Sequence, residues 1–112
     1  DQKVIALEGD GSAMYTVQSL WTMARENLDI VVLIFANQSY KILQGELTNV
    51  GVTNPGKSAL EMLSLKDPSL DWVSVSKGMG VDGVRVDNIE DLVKNFKHGL
   101  KENGPFLIEV MI

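Results

Sequence analysis

The sequence contains no cysteine, so neither a disulfide framework nor a cysteine-based zinc site is open to it, and its fold must rest on packing. A reducing compartment is compatible with that, and a cytoplasmic setting is expected. Long apolar runs are missing too. The longest, Ile30 to Ala36, falls far short of the roughly 20 residues that a membrane-spanning helix needs, so no membrane partner is expected. Nor is there an excess of positive charge. With a net charge of -5 and scattered Lys and Arg, the chain lacks the footprint of a nucleic-acid binder, and an anionic ligand has to be held by main-chain groups and a metal. No internal repeat, low-complexity tract or domain-length linker interrupts the 112 residues, which suit one small domain. The first residue is Asp1, and no basic segment or cleavage site precedes the first apolar stretch; a fragment of a longer polypeptide is expected.

What is present is an ordinary globular composition, 45% hydrophobic and 22% charged, with a readable alternation of elements. Val4 to Leu7 is a short apolar run closed by Glu8 and Gly9-Asp10-Gly11, the form of a buried strand entering a turn. Met14, Val17, Leu20, Trp21 and Ala24 then recur at spacings of three and four, which predicts an amphipathic helix of about 14 residues with Ser12 as its cap and Trp21 on its core face. Ile30 to Ala36, β-branched and apolar throughout, suits a parallel strand covered on both faces. Two strands and one helix make a βαβ unit with a right-handed crossover.

A long polar segment, residues 37 to 57, follows, with a short helix expected around Tyr40 to Leu47. Leu60 to Leu65 reads as a short helical piece. Leu70 to Met79 reads as a helix, although Trp72 to Ser76 also permits strand alternation. Val84 to Val86 is a short strand. Asp87 and Glu90 give a capping signal for a helix carrying Ile89, Leu92, Val93, Phe96 and Leu100 on one face, with His98 solvated near its end. Phe106 to Met111 is a final buried strand. The order implies an α/β fold, a three-layer sandwich with a mostly parallel sheet.

The chemistry concentrates in Gly9-Asp10-Gly11-Ser12, at the end of the first strand, and Asn37, at the end of the second, with twenty-five residues between Gly11 and Asn37. Open α/β sheets bind ligands outside the carboxyl ends of their strands. If these strands are neighbours, about 4.8 Å apart, one carboxylate and one amide oxygen arrive where a single cation bridges them. Mg2+ takes six oxygens at roughly 2.1 Å, few of them from protein. Asp10, Asn37 and a main-chain carbonyl from the following turn, that of Ser39, leave room for two diphosphate oxygens and a water. Gly9 and Gly11 keep Cβ atoms out of a phosphate's way, and the amides of Gly11, Ser12 and Ala13 stand at a helix N-terminus, with the Ser12 hydroxyl as a further donor.

The pattern GDG, about twenty-five residues, then Asn resembles the cofactor motif of thiamin-diphosphate-dependent enzymes. GDGSAMYTVQSLWTMARENLDIVVLIFANQSYKIL looks like that family's pyrophosphate-binding (C-terminal) domain throughout, as do DWVSVSKGMGVDGVRV and GPFLIEVMI. Asn37-Gln38-Ser39-Tyr40 is most similar to the acetolactate synthase and benzoylformate decarboxylase branch. One departure is visible: the family commonly shows two consecutive Asn, and Ala36 takes the first place here. The resemblance implies a cofactor-binding set of Gly9, Asp10, Gly11, Ser12, Ala13, Asn37, Ser39 and Tyr40 for thiamin diphosphate. Asp10 and Asn37 by side chain, and Ser39 by carbonyl, hold Mg2+. It implies a 2-oxo acid substrate, with Tyr40, Ile42 and Leu43 near it, and decarboxylation or carboligation in a homo-oligomer. The activating Glu belongs to a pyrimidine-binding domain of the same or a neighbouring subunit, so the isolated chain is expected to be inactive, and no catalytic residue is assigned within it.

Two other readings start from the same residues. Gly9-Asp10-Gly11 also begins a dinucleotide-binding G-x-G-x-x-G, but Met14 stands where the third glycine is needed, and an Asp in the turn repels an unaccompanied pyrophosphate. A non-catalytic relic of the fold is the other. A P-loop hydrolase is excluded, because no G-x-x-x-x-G-K-[ST] occurs.

Overall fold

The computed structural model describes residues 2–37, 51, 56, 61–65 and 68–112. Their elements, in chain order, are β1 (Val4–Gly9), α1 (Asp10–Met14), α2 (Ser19–Arg25), β2 (Ile30–Ala36), α3 (Trp72–Gly78), β3 (Asp82–Val86), α4 (Ile89–Lys101) and β4 (Phe106–Met111). The short helix expected around Tyr40 to Leu47 lies outside the described residues, and of Leu60 to Leu65 only 61–65 fall within them.

All four strands run parallel, in the order β1-β2-β4-β3. Alternation along β2 sends Val32 and Ile34 to one face and Val31 and Leu33 to the other, and all four are buried. On the first face they join Ala13, Leu20, Trp72 and Leu107 under α1, α2 and α3. On the second, Val31 and Leu33 meet Phe106, Ile108, Val86 and Val110 under α4. The expected three-layer sandwich is therefore present. Each fully buried aliphatic side chain stabilises it by roughly 1.5–3 kcal/mol. The arrangement of the helices follows crossover handedness. The steps β1 to β2 and β2 to β3 advance the same way across the sheet and share a face, whereas β3 to β4 turns back and puts α4 on the other.

Several local expectations are corrected. The first helix starts at Asp10, with Gly9 as its N-cap and no side-chain cap, so Ser12 lies inside the first turn instead of capping it. The helix is also broken. Tyr15, Thr16, Ser19, Leu20 and Trp21 donate to carbonyls three residues back, a tighter winding that separates α1 from α2. That winding rotates Trp21 out of the core, where its ring is 53% exposed and the Arg25 guanidinium lies 5.4 Å from its centroid. Among the described residues β1 has a strand on one side only, and Val4, Ile5 and Leu7 are exposed there, where a buried strand was expected.

Trp72 to Ser76 is helical. Asp71, in extended conformation, caps it by accepting from the Ser74 amide, which settles the strand alternative. Asn88, not Asp87, caps α4 by accepting from the Asp91 amide at 2.8 Å. His98 does more than face solvent: it pairs with Glu102 at 2.9 Å and meets Phe106 edge-on at 5.1 Å.

The β4 half also holds a polar group that the sequence reading passed over. Glu109, inside the apolar stretch FLIEVM, is fully buried. Its carboxylate accepts from the Trp72 amide and from Arg85 Nε, at 3.3 and 2.9 Å, and Arg85 reaches on to Asp71 at 3.1 Å. The bond to Glu109 raises the Arg85 pKa above its ordinary value, and the bonds from Ser74, then the Arg85 charge, lower that of Asp71. Helix α3 is thereby tied by its first turn to β3 and β4.

Candidate cofactor site

β1 and β2 pair along their whole length, with Gly9 opposite Phe35. Asp10 is the next residue after Gly9, and Asn37 follows two places after Phe35, so the two leave neighbouring strands at the same edge of the sheet. Asp10 is 1% exposed; Asn37 is half-buried. The neighbour relation on which a bridging cation depends is thus met by strand order.

Around this pair the backbone is shaped by α1. Gly9, with φ -84 and ψ 156, turns the chain from strand into helix. A Cβ built on Gly9 meets nothing within 4 Å, so the space beside that turn is open to an approaching group. Starting the helix at Asp10 leaves the amides of Asp10, Gly11 and Ser12 outside the intrahelical ladder, while that of Ala13 is the first within it. The Gly11 amide donates to Asp10 Oδ1 at 2.9 Å, which orients the carboxylate from within its own turn. Ser12 is exposed beside them, and Ala13 buries its methyl in the core. Ser39 and Tyr40, with Ile42 and Leu43, lie outside the described residues.

One carboxylate, one amide oxygen, main-chain donors at a helix start and an open glycine turn form a donor set that fits a hard divalent cation and a phosphate together. Among the described residues there is no group of three or more His, Cys, Asp or Glu able to hold a metal by protein ligands alone. A nearby cavity of about 60 Å3, between α1, α2 and the sheet, is walled by Ala6, Ala13, Leu20, Val32, Ile34 and Trp72. Its lining is mostly apolar, and the charged residue on it, Glu8, would repel an anion. Met14 packs against this core where a dinucleotide fingerprint requires glycine, so the close helix approach of that motif is sterically closed.

Fold and strand order together define an α/β domain of the open parallel-sheet class, in which ligands ordinarily bind at the carboxyl ends of the strands. The family described as "Thiamine pyrophosphate enzyme, C-terminal TPP binding domain" matches residues 1–110, and the chain belongs to it. A Mycobacterium tuberculosis protein named as an acetolactate synthase large subunit is 43% identical, over 100% of this chain and 22% of the relative. A benzoylformate decarboxylase of Pseudomonas aeruginosa is 32% identical, over 97% of this chain and 19% of its own length. Among solved structures, a thiamine diphosphate-dependent 4-hydroxybenzoylformate decarboxylase of Rhodococcus jostii RHA1 superposes with a TM-score of 0.86 at 34% identity, covering 99% of this chain and 20% of that one. The chain therefore spans about a fifth of the length of these relatives. Among the described residues no helix is long and apolar enough to cross a membrane.

Proposed function

We propose that residues 1–112 are the diphosphate-anchoring domain of a longer 2-oxo-acid decarboxylase or carboligase of the acetolactate synthase and benzoylformate decarboxylase branch. The observation that carries this reading is the placement of Asp10 and Asn37 at the ends of two hydrogen-bonded parallel strands, beside the open Gly9 turn. The family match and the two curated relatives support it.

In this reading the Asp10 carboxylate, the Asn37 amide oxygen and the Ser39 carbonyl would hold Mg2+ for thiamin diphosphate. Gly9, Gly11, Ser12, Ala13 and Tyr40 would form the rest of the cradle, with no Cβ obstructing it at position 9. When bound, the cofactor supplies carbanion-stabilising chemistry next to a carbonyl. The part of Asp10 in this reading is to hold and orient, with no bond made or broken at its side chain. Activation requires a Glu from a pyrimidine-binding domain of the same or a neighbouring subunit, so homo-oligomerisation belongs to the proposal and these residues alone turn over no substrate. Cytoplasmic residence is part of it, and cell fractionation checks that.

Calorimetric titration of thiamin diphosphate with Mg2+ into the intact polypeptide tests the proposal. Wild type is expected to bind, chelator to abolish binding, and Asp10→Ala to weaken it by about 100-fold or more, the range in which loss of a charged ligand falls. Equal heats for wild type and Asp10→Ala would remove the metal site. Metal-independent dinucleotide binding would favour the Rossmann-like reading, and no binding by either protein the relic.

A further inference from the structure

The corner between α4 and β4 carries a reactive dipeptide. Asn103-Gly104 is the single Asn-Gly pair in the sequence. In such a pair the glycine nitrogen, unshielded by a side chain, can attack the side-chain amide carbon that precedes it. The bond from the Gly104 nitrogen to Asn103 Cγ forms as the Cγ–Nδ2 bond breaks, and the proton given up by the Gly104 nitrogen leaves with the side-chain nitrogen as ammonia. Water then opens the cyclic imide at either carbonyl, leaving an aspartate or its isomer, in which the main chain runs through the side-chain carbon. The fold itself imposes the glycine. Gly104 has φ +103, and a Cβ there would collide with the Asn27 side-chain oxygen, so a side chain is opposed by backbone angle and by space together. Asn103 is exposed, so water reaches it.

In the folded chain the attacking nitrogen is already engaged. The Gly104 amide donates to Asp29 Oδ1 at 2.8 Å, across 75 positions of sequence. Asp29 is fixed in its turn, because its carbonyl accepts from the Val4 amide at 2.9 Å just before β2 begins. Lys3 stands behind the pair: its Nζ lies 3.6 Å from the same Oδ1 and donates to the carbonyls of Glu102 and Gly104 at 2.6 and 3.4 Å. The peptide unit between Asn103 and Gly104 is thus flanked by contacts on both sides. This clamp opposes the reaction in two ways. Ring closure needs rotation about the Cα–C bond of Asn103, which carries the Gly104 nitrogen away from Asp29. The nitrogen also becomes nucleophilic only as it loses its proton, and a neighbouring negative charge disfavours that ionisation. The Gly104 bond holds the Asp29 carboxyl below its ordinary range, which keeps that negative charge in place near neutral pH.

We infer that Asn103 is a deamidation site whose rate is set by Asp29, with Lys3 behind it, through their hold on the Gly104 peptide. Conversion places a new carboxylate beside Glu102 and in the same corner as Asp29. Isomerisation in addition lengthens the main chain by one atom immediately before β4, the strand that carries the buried Glu109. The inference does not depend on the cofactor reading.

The test incubates the intact polypeptide at mildly alkaline pH and follows position 103 by peptide mass spectrometry, with aspartate and its isomer separated by chromatography. Three comparisons are made: a synthetic peptide of residues 98–108, the variant Asp29→Ala, and Val86→Ala. The last removes buried volume at the carboxyl end of β3, the sheet edge opposite this corner, and leaves the clamp in place. Wild type is expected to convert about ten-fold or more slowly than the peptide, as a reaction confined to a locally opened state does. Asp29→Ala is expected to approach the peptide's rate, and Val86→Ala to stay at that of wild type. Wild type converting as fast as the peptide overturns the inference, and so does Asp29→Ala converting as slowly as wild type. Equal acceleration in Val86→Ala and Asp29→Ala also overturns it, because general loosening of the fold would then account for the rate.

Discussion

The two halves of the sheet treat their buried carboxylates differently. In the β3 and β4 half, Glu109 is enclosed by partners from α3 and β3: the amide of Trp72, the guanidinium of Arg85 and, through it, Asp71 at the cap of α3. In the β1 and β2 half, Asp10 is almost as buried, yet it stands at a strand end, its Oδ1 held by the neighbouring Gly11 amide, beside a turn with open space. A carboxylate in mid-strand is committed to holding the domain together. One at the carboxyl edge of a parallel sheet is placed to meet a ligand.

That contrast breaks down if stability and binding respond alike in both halves. The largest stability effect is expected at Glu109→Ala, which orphans the buried Trp72 amide and leaves Arg85 with Asp71 alone, and should cost about 3 kcal/mol, read by denaturant unfolding. Asp10→Ala should cost far less stability while removing metal-dependent cofactor binding; a loss of stability matching that of Glu109→Ala would erase the distinction.

Two glycines sharpen the comparison. At Gly99 a Cβ would lie 2.9 Å from the Phe106 ring and 3.3 Å from Val31, so Gly99→Ala should destabilise by about 1–3 kcal/mol through overpacking. At Gly9 a Cβ meets nothing within 4 Å, so Gly9→Ala should change stability by no more than about 0.5 kcal/mol, as a substitution without contacts does. Its effect should appear in calorimetry instead, as weaker thiamin diphosphate binding.

The smallest effect concerns pH. The Gly104 amide first, and then Lys3, hold the Asp29 carboxylate below its ordinary value, and bonds from Ser74 do the same for Asp71. For groups depressed in the folded state, the stabilisation is fully present above the unfolded value of about 3.9 and is lost as pH falls through the lowered folded values. The melting temperature should therefore decline below about pH 4, and Asp29→Asn with Asp71→Asn should flatten that decline; an unchanged slope would show that neither contact matters.

The fold was legible where chemistry is local or strongly periodic. Ile30 to Ala36 needs no context to read as a buried parallel strand, and the bounds of β2 agree with it to the residue. The stretch GPFLIEVMI likewise announces a strand after a turn. Capping was less legible, because neighbouring polar residues compete. Ser12 and Asp87 are good caps in isolation, but Gly9 and Asn88 hold the extended backbone that the N-cap position requires. Trp21 obeyed the helical period and still left the core, since the tightened turns after Met14 shifted the phase of everything downstream.

The residues alone determined the pairing of a Gly-Asp-Gly turn with an Asn separated from Gly11 by twenty-five residues, because spacing and residue type are properties of the chain. They also determined which segments are apolar enough to form a sheet, since transfer from water depends on composition before it depends on neighbours. Only the tertiary structure decided that β1 and β2 lie side by side. Only it decided that Glu109, a charge inside an apolar strand, is satisfied by a helix start and an arginine remote in the chain. The physical reason is that strand order and burial of charge are set by crossovers and long-range contacts, which no window along the chain contains.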